Sequence, residues 1–340
     1  MPTVTVDLRD FVGHAEAIVA SHALGTPGDY RRWNRAAPER DLGRNPYGCA
    51  DAANILYTIG RFPRDPAERA SWIATMQAMQ DHASGLFVEA THHPIHTTAH
   101  CIAALELFDA GPSHRIAALE RYADEAALAA FLGALDWAHD PWRASHQGAG
   151  LFAALVLAGQ ADLAWQDRYF AWLWEWADGR TGFFGRDPRP VAHSGCSSMV
   201  PHMAGSFHYF FNMQWARRPF RYPEQVIDSC LDMLAETVGG GGFPLGRTVG
   251  FAEIDWLFCV NRALRQCGHR FADAQRGIAT LGRRLTEFLL ALDPRDDDGL
   301  NDLHALFGTL CALAELQQAV PGLVRTARPL KLVLDRRPFI

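Results

Sequence analysis

The sequence predicts an all-α fold in which helical hairpins close into a ring. An amphipathic helical stretch is followed six times by a more apolar one. The repeat length is roughly 45 to 55 residues, which is typical of repeat architectures. We find no persuasive strand pattern and no linker-like change in composition, so we predict one domain over residues 1–340. The short tail at 323–340 is rich in Val and Leu, and we expect it to lie extended against the outside.

Each predicted hairpin is bounded by residues that start or stop helices. Asp65-Pro66 starts one helix, Gly60 and Pro63 end another, and several turns place Gly before Leu or Phe, as at Gly85 and Gly242. The predicted helix pairs are 3–24 and 47–59, 65–80 and 91–108, 114–138 and 145–159, 163–177 and 197–215, 223–238 and 251–267, and 272–292 and 301–320.

The two helices of a pair differ in polarity. The first carries a charged face, as at 69–80 and 276–287, which indicates that one side meets water. The second is almost wholly apolar or small after its first turn, as at 149–158 and 306–314, and must be surrounded by protein. A ring in which the solvent-facing helices lie outside and the apolar helices lie inside places both kinds in a suitable environment. We therefore predict an (α/α)6 toroid of six helical hairpins.

Composition excludes several classes of partner. The net charge is −6 and no Lys/Arg run is interleaved with aromatic residues, which argues against nucleic acid. No apolar run of 18 residues occurs, so we expect neither a membrane span nor a signal peptide. The seven cysteines are scattered without a Cys-x-x-Cys motif, which predicts free thiols and a cytoplasmic protein. We expect a small-molecule substrate, and the oligomeric state stays open.

Short motifs carry a family resemblance. The run Ser84-Gly85-Leu86-Phe87, followed by His96-Thr97-Thr98-Ala99, resembles the repeat of the terpenoid cyclase and protein prenyltransferase superfamily. Gly242-Phe243 before Asp255 and Gly299-Leu300 before His304 resemble further copies. The six-hairpin layout is also similar to that of toroid glycosidases and sugar epimerases. The resemblance covers most of the chain as a fold signal and implies an α/α toroid, while leaving the chemistry open.

All inner helices of such a ring begin at one rim, so polar residues in their first turns should converge. Helix N-termini also favour anionic or electron-rich groups. The residues that the pattern places at this rim are Tyr47, Asp51, Asn54, Glu89, His92, His93, His96, His100, Ser145, His146, His193, His202, Ser206, His208, Glu253, Asp255, Asn301, Asp302 and His304.

Some of these residues are better candidates for catalysis than others. Asp51 lies on an apolar stretch, where an unpaired carboxylate would be costly. His202 and His208 are six residues apart and cannot share one helix face, so only one is favoured. We predict as catalytic residues Asp51, His96, His100, His202, Asp255 and His304, and as substrate-binding residues Tyr47, Asn54, His92, His93, His146, His208, Glu253, Trp256 and Asp302.

Structural explanations compete for several of these side chains. His93 and His146 can be helix caps or their neighbours, and Asp302 and His304 can be the cap and first turn of the last helix. His96 and His100 have i, i+4 spacing, which suits either hydrogen-bonded histidines or a metal site. No cofactor is required by the sequence. If a divalent metal binds, the predicted ligands are His96, His100, Asp255 and His304.

The prenyltransferase resemblance implies a zinc site made of Asp, a Cys two residues later, and a His in the last repeat. Asp255 and His304 match this pattern, but Leu257 stands in place of the Cys. The Asp-x-Asp-Asp acid motif of protonating terpene cyclases is not matched by residues 293–298. Neither chemistry is therefore carried over by its motif.

The polar rim leads to a functional hypothesis with two alternatives. We predict a small-molecule enzyme that uses acid–base residues on a sugar-like substrate, by hydrolysis, epimerisation or isomerisation. The first alternative is an isoprenoid cyclase or prenyltransferase-like enzyme, which an aromatic-walled dry cavity would favour. The second is a non-catalytic α/α binding protein, which a plugged channel and fully paired acids would favour.

Overall fold

The computed structural model describes residues 5–193 and 196–340, and the described chain is mostly helical. This confirms the predicted all-α class. The α-helices are α1 (Arg9–Ser21), α2 (Pro46–Thr58), α3 (Pro66–Gln77), α4 (Pro94–Glu106), α5 (Glu125–Ala134), α6 (Pro141–Leu157), α7 (Leu163–Trp176), α8 (Val200–Trp215), α9 (Pro223–Val238), α10 (Ala252–Leu264), α11 (Phe271–Ala291) and α12 (Leu303–Ala319). Short 3₁₀ helices occupy Ala117–Ala123 and Val333–Asp335.

Four short strands accompany the helices. β1 (Val6–Asp7) pairs in parallel with β4 (Val324–Arg325), and β2 (Val191–His193) pairs antiparallel with β3 (Cys196–Ser198). We predicted no strands for the β2–β3 pair, and α8 begins at Val200 where we predicted a helix from about 197. A pair of only three residues on each strand is too short for an alternating pattern to be recognised.

Helix starts follow from capping chemistry. The side chain of Asn45 accepts a hydrogen bond from the Gly48 amide, and Asp65 and Asp140 cap α3 and α6 in the same way. Pro occupies the first position of α2, α3, α4 and α6, where its missing N–H costs nothing. These caps fix where the helices begin, and the polar side chains of interest lie in the first two or three turns that follow.

The even-numbered helices are buried along most of their length, as their nearly all-apolar sequences predict. They are α2, α4, α6, α8, α10 and α12. Each of these helices contacts the next one in the series, and α12 contacts α2, so the contacts among the six helices form a closed cycle. Glycines allow part of this close packing. A Cβ added at Gly205 of α8 would lie 2.6 Å from the Pro141 carbonyl oxygen, and one at Gly308 of α12 would lie 2.6 Å from the Gly250 carbonyl oxygen.

The C-terminal tail departs from the expected outside path. Its first part pairs with β1 near the surface, but Arg337, Phe339 and Ile340 are buried. Arg337 donates to Asn54 on α2, and the Pro338 carbonyl accepts from Asn212 on α8 at 2.7 Å. The expectation of an external tail is therefore wrong for its last residues. The apolar side chains of Phe339 and Ile340 favour this burial, and Asn54 binds one nitrogen of the Arg337 guanidinium.

The lengths and sequences of the helices can be compared with those of membrane-spanning helices. Within the described ranges, none of the helices combines the length and apolar character that crossing a bilayer requires.

Candidate functional site

Aromatic, imidazole and carboxyl side chains from the first two or three turns of the even-numbered helices lie close together. Their helices are α2, α4, α6, α8, α10 and α12, and the loop before α4 also contributes. Among the described residues, two buried groups have ligand atoms close enough to hold a metal ion. They are His96, His146 and His208, called here the triple-histidine cluster, and Asp51, His100 and His304, called the aspartate-centred cluster.

The triple-histidine cluster takes one residue from each of three neighbouring helices, α4, α6 and α8. Its ligand atoms lie within 4.8 Å of one another. The ring centroids of His96 and His146 are 4.2 Å apart, and those of His146 and His208 are 5.2 Å apart. Burial lowers the pKa of all three, to about 3 for His208, so the rings are neutral near pH 7.

Neighbouring groups orient two of these rings. The Nδ1 atom of His208 lies 3.0 Å from the Ala204 carbonyl oxygen and 3.1 Å from Ser145 Oγ. Because the neutral ring must donate to the carbonyl from Nδ1, its Nε2 carries a lone pair. The Tyr47 hydroxyl contacts Nδ1 of His96, which leaves the other nitrogen of that ring for a further partner.

The aspartate-centred cluster is internally paired. Asp51 Oδ1 lies 2.8 Å from His100 Nε2 and 3.2 Å from His304 Nδ1. Burial alone would raise the pKa of Asp51, but His304 and His100 hold it below its usual value. Burial lowers the pKa of His304 to about 4, although Asp51 acts in the opposite direction. The cluster therefore holds one carboxylate between two neutral imidazoles.

Tyr47 and His92 lie between the two clusters. The Tyr47 ring stacks on His92 with centroids 4.1 Å apart and on His100 at 4.6 Å. Glu89 accepts a hydrogen bond at 3.0 Å from Nδ1 of His92. Burial raises the pKa of Glu89, but hydrogen bonds from His92 and Thr91 have the larger combined effect and lower it to about 2. The predicted rim residues at this side of the site do converge.

A cavity of about 480 Å³, called here the main cavity, opens above these residues. His92, Asp255 and His304 line it, and the same three side chains also line a small void of about 20 Å³ among the histidines. Apolar side chains form much of the remaining wall, including Trp142 and Phe251. The volume lies in the range usual for small-molecule sites.

Asp255 is the exceptional acid of the main cavity. It is 2% exposed, and within the described part of the chain its Oδ1 meets no hydrogen-bond partner. Burial, assisted by the neighbouring Glu253, raises the pKa of Asp255 well above its usual value. Burial therefore favours the protonated form of the Asp255 carboxyl group.

Several predicted site residues have structural roles instead. Glu253 accepts from Thr248 Oγ1 at 2.7 Å and from the Gly246 amide at 2.9 Å, which holds the loop before α10. The Trp256 indole donates to the Cys230 carbonyl at 2.7 Å and packs toward α9. His93 is exposed and caps α4 through its own Nδ1.

Other predicted residues are displaced from the clusters. His202 is buried on α8 but belongs to neither cluster and lines neither cavity as far as the structure describes them, whereas His208 joins the triple-histidine cluster. Asn54 binds Arg337 of the tail. Asp302 caps α12 and pairs with Arg32 at 2.8 Å, although it also lines the main cavity. The side chain of His193 lies outside the described part of the structure.

The predicted metal ligands do not gather at one point. His96 belongs to one cluster and His100 and His304 to the other, while Asp255 belongs to neither. The i, i+4 spacing aligns His96 and His100 on one face but separates them by about 6 Å along the axis. The zinc set implied by the prenyltransferase resemblance does not fit either, because a fully buried Leu257 replaces the thiolate.

The predicted set of site residues omits several side chains that contribute to the site. Arg32 forms the edge of the main cavity, Trp142 forms its wall, and Phe339 of the tail contacts His96 and His208 with centroid distances of 4.8 and 5.8 Å. Trp142 follows the Asp140-Pro141 helix start, a signal that could have placed it at the rim. Nothing local in the sequence announces the insertion of Phe339.

No protein-family model, curated protein or solved structure matches the chain.

Proposed function

We propose that the chain is an (α/α)6-toroid enzyme that carries out acid–base chemistry on a small molecule in the main cavity. The cyclic order of contacts among α2, α4, α6, α8, α10 and α12 supports the ring. Their burial, and the exposed faces of partners such as α9 and α11, support the division into inner and outer helices.

One observation carries the proposed chemistry: Asp255 and His304 line the same cavity in opposite protonation roles. Asp255 has a raised pKa and can donate a proton, while His304 is neutral and can accept one. Asp51 orients the His304 ring and stabilises the imidazolium that forms. Titratable groups whose surroundings shift their pKa values apart are a common acid–base arrangement.

The number of carboxyl groups that are available in the main cavity favours proton transfer over glycoside hydrolysis. Hydrolysis generally needs two carboxyl groups across the scissile bond. Asp302 is already paired with Arg32, and Asp51 does not line the main cavity, which leaves Asp255 beside an imidazole. We therefore propose epimerisation or isomerisation of a sugar-like substrate, in which a proton leaves and returns to a carbon beside a carbonyl. Trp142 and Phe251 would contact the apolar face of the sugar ring.

An isoprenoid cyclase or transferase is the second candidate. The observation that favours it is the apolar wall of the main cavity, where Val200, Val249 and Phe251 lie with Trp142. Aromatic and aliphatic walls suit a hydrocarbon chain and a carbocation. The floor of histidines and acids favours the first candidate.

Deuterium exchange tests the proposal. The protein is incubated with a panel of aldoses and ketoses in D₂O, and incorporation at carbon is followed by NMR. We expect exchange with at least one sugar, and a fall in rate of about 100-fold or more in Asp255→Asn and His304→Gln. Asp232→Asn and His82→Gln, which change exposed residues, should retain the full rate.

Three outcomes would contradict the proposal. Exchange that survives both site variants would remove Asp255 and His304 from the chemistry. Turnover of geranyl or farnesyl diphosphate in the absence of sugar exchange would favour the isoprenoid candidate. Binding of a sugar without any exchange would favour a non-catalytic protein. Circular dichroism of each variant checks that it is folded.

A further inference from the structure

The triple-histidine cluster lacks the internal pairing that the aspartate-centred cluster has. His96, His146 and His208 come within 4.8 Å of one another without a carboxylate in the group. All three are at most 6% exposed. Neutral imidazoles that face each other in a protein interior leave lone pairs that need a donor or a cation.

The surrounding hydrogen bonds prepare the rings to be ligands. His208 uses Nδ1 for the Ala204 carbonyl, which fixes the tautomer and leaves Nε2 free to coordinate. Tyr47, which lies between the two clusters, contacts Nδ1 of His96. A hydrogen bond to the non-coordinating nitrogen is the usual outer partner of a metal-binding histidine.

Space for an ion and a route to it are both present. The small void of about 20 Å³ is bounded by all three histidines. This is room for about one water-sized particle. Trp142, Phe251 and Asp255 line both the void and the main cavity, so an ion there would adjoin the bound substrate.

We propose that His96, His146 and His208 bind one divalent transition-metal ion, with a remaining coordination position directed to the main cavity. Three imidazoles suit Zn²⁺ and its first-row neighbours, and a three-ligand site with an open position is typical of catalytic metals. In the aspartate-centred cluster, His100 Nε2 and His304 Nδ1 are already engaged by Asp51 Oδ1, so we expect no second ion there. The metal site does not depend on the proposed proton-transfer function.

Calorimetry with ZnCl₂ tests the site in the full chain, prepared without a histidine tag and freed of metal with a chelator. We expect one equivalent of Zn²⁺ to bind with a Kd below about 1 µM. His146→Ala and His208→Gln should weaken binding by at least about 100-fold, because each removes a ligand. His202→Gln, at a buried histidine of α8 that belongs to neither described cluster, is the control and should still bind one equivalent.

Surface binding is controlled separately. His82 and His114 form a ring pair with centroids 4.7 Å apart, and His82 is exposed. Zn²⁺ binding that His82→Ala abolishes would overturn the proposal, as would equal affinity in wild type and His208→Gln, or no binding by wild type. The visible spectrum of the Co²⁺-loaded wild type gives a test that needs no variant: absorption bands of four- or five-coordinate Co²⁺ are expected, and a spectrum of hexaaqua ions would overturn the site.

Discussion

The triple-histidine and aspartate-centred clusters lie side by side, and both are buried, yet they differ in how their polar atoms are satisfied. In the aspartate-centred cluster, Asp51 Oδ1 accepts from His100 and His304 at 2.8 and 3.2 Å, so a carboxylate joins its two rings, while Asp51 Oδ2 has no hydrogen-bond partner among the described residues. The triple-histidine cluster has three neutral rings and no carboxylate among its members. This difference underlies our two proposals, in which the aspartate-centred cluster holds a proton acceptor in place and the triple-histidine cluster binds a cation.

Replacement of Phe339 should have the largest effect on stability. This fully buried ring from the tail packs on His96 and His208 of the triple-histidine cluster. Phe339→Ala is expected to lower the free energy of unfolding by about 4 kcal/mol, because it removes a large core side chain. Urea denaturation measures the change. Phe271→Ala, at an exposed Phe, is the matched control, and an equal loss in both variants would show that the tail does not support the cluster.

Removal of the carboxylate should break the other cluster. Asp51→Ala leaves His100 and His304 without their shared acceptor, and we expect a loss of about 3 kcal/mol, since hydrogen bonds to charged groups contribute about 1.5 kcal/mol or more each. Denaturation of Asp232→Ala, an exposed acid, should show almost no change. A loss below about 1 kcal/mol in Asp51→Ala would mean that the pairing contributes little.

The pH dependence of stability should report His304. Its pKa is about 4 in the folded chain, against 6.5 for an unperturbed histidine, with Asp51 opposing the effect of burial and with Arg32 and His92 adding to it. The unfolded chain therefore binds more protons between these values, and stability present above pH 6.5 is lost as the pH falls toward 4. At pH 5, the free energy of unfolding that is lost relative to neutral pH should be smaller by about 1–2 kcal/mol in His304→Gln than in the wild type. Identical pH profiles for wild type and variant would contradict the buried, neutral state of His304.

Tyr47 touches both clusters and should give the smallest change in stability. Tyr47→Phe keeps the ring stacking on His92 and His100 but removes the hydroxyl beside His96. We expect a loss of about 1 kcal/mol on denaturation and a Zn²⁺ affinity weakened by about 10- to 100-fold. Tyr222→Phe serves as the control. Unchanged Zn²⁺ affinity in Tyr47→Phe would show that the hydroxyl does not orient His96.

Local signals in the sequence predicted much of the helical scaffold. Asp65-Pro66 and Asp140-Pro141 mark helix starts because the carboxylate caps the amides that follow. The nearly all-apolar second helices were expected to be surrounded, and α6 and α12 are indeed buried. These features depend on neighbours in sequence, so a single chain reveals them.

The rotation of each helix about its axis, and the depth of each side chain in the site, could not be predicted in the same way. His202 and His208 are six residues apart, and only the packed rotation of α8 decides that His208 faces the cluster. Likewise, His96 and His100 share a helix face but lie one turn apart, so they join different clusters. The insertion of Phe339 depends on contacts made far along the chain, which no local pattern encodes.

Anomalous diffraction at the zinc edge, from crystals of the protein soaked in ZnCl₂, tests the difference between the clusters most directly. We expect one peak, bounded by His96, His146 and His208, and none between Asp51, His100 and His304. A peak at the aspartate-centred cluster, or no peak at the triple-histidine cluster, would contradict the account.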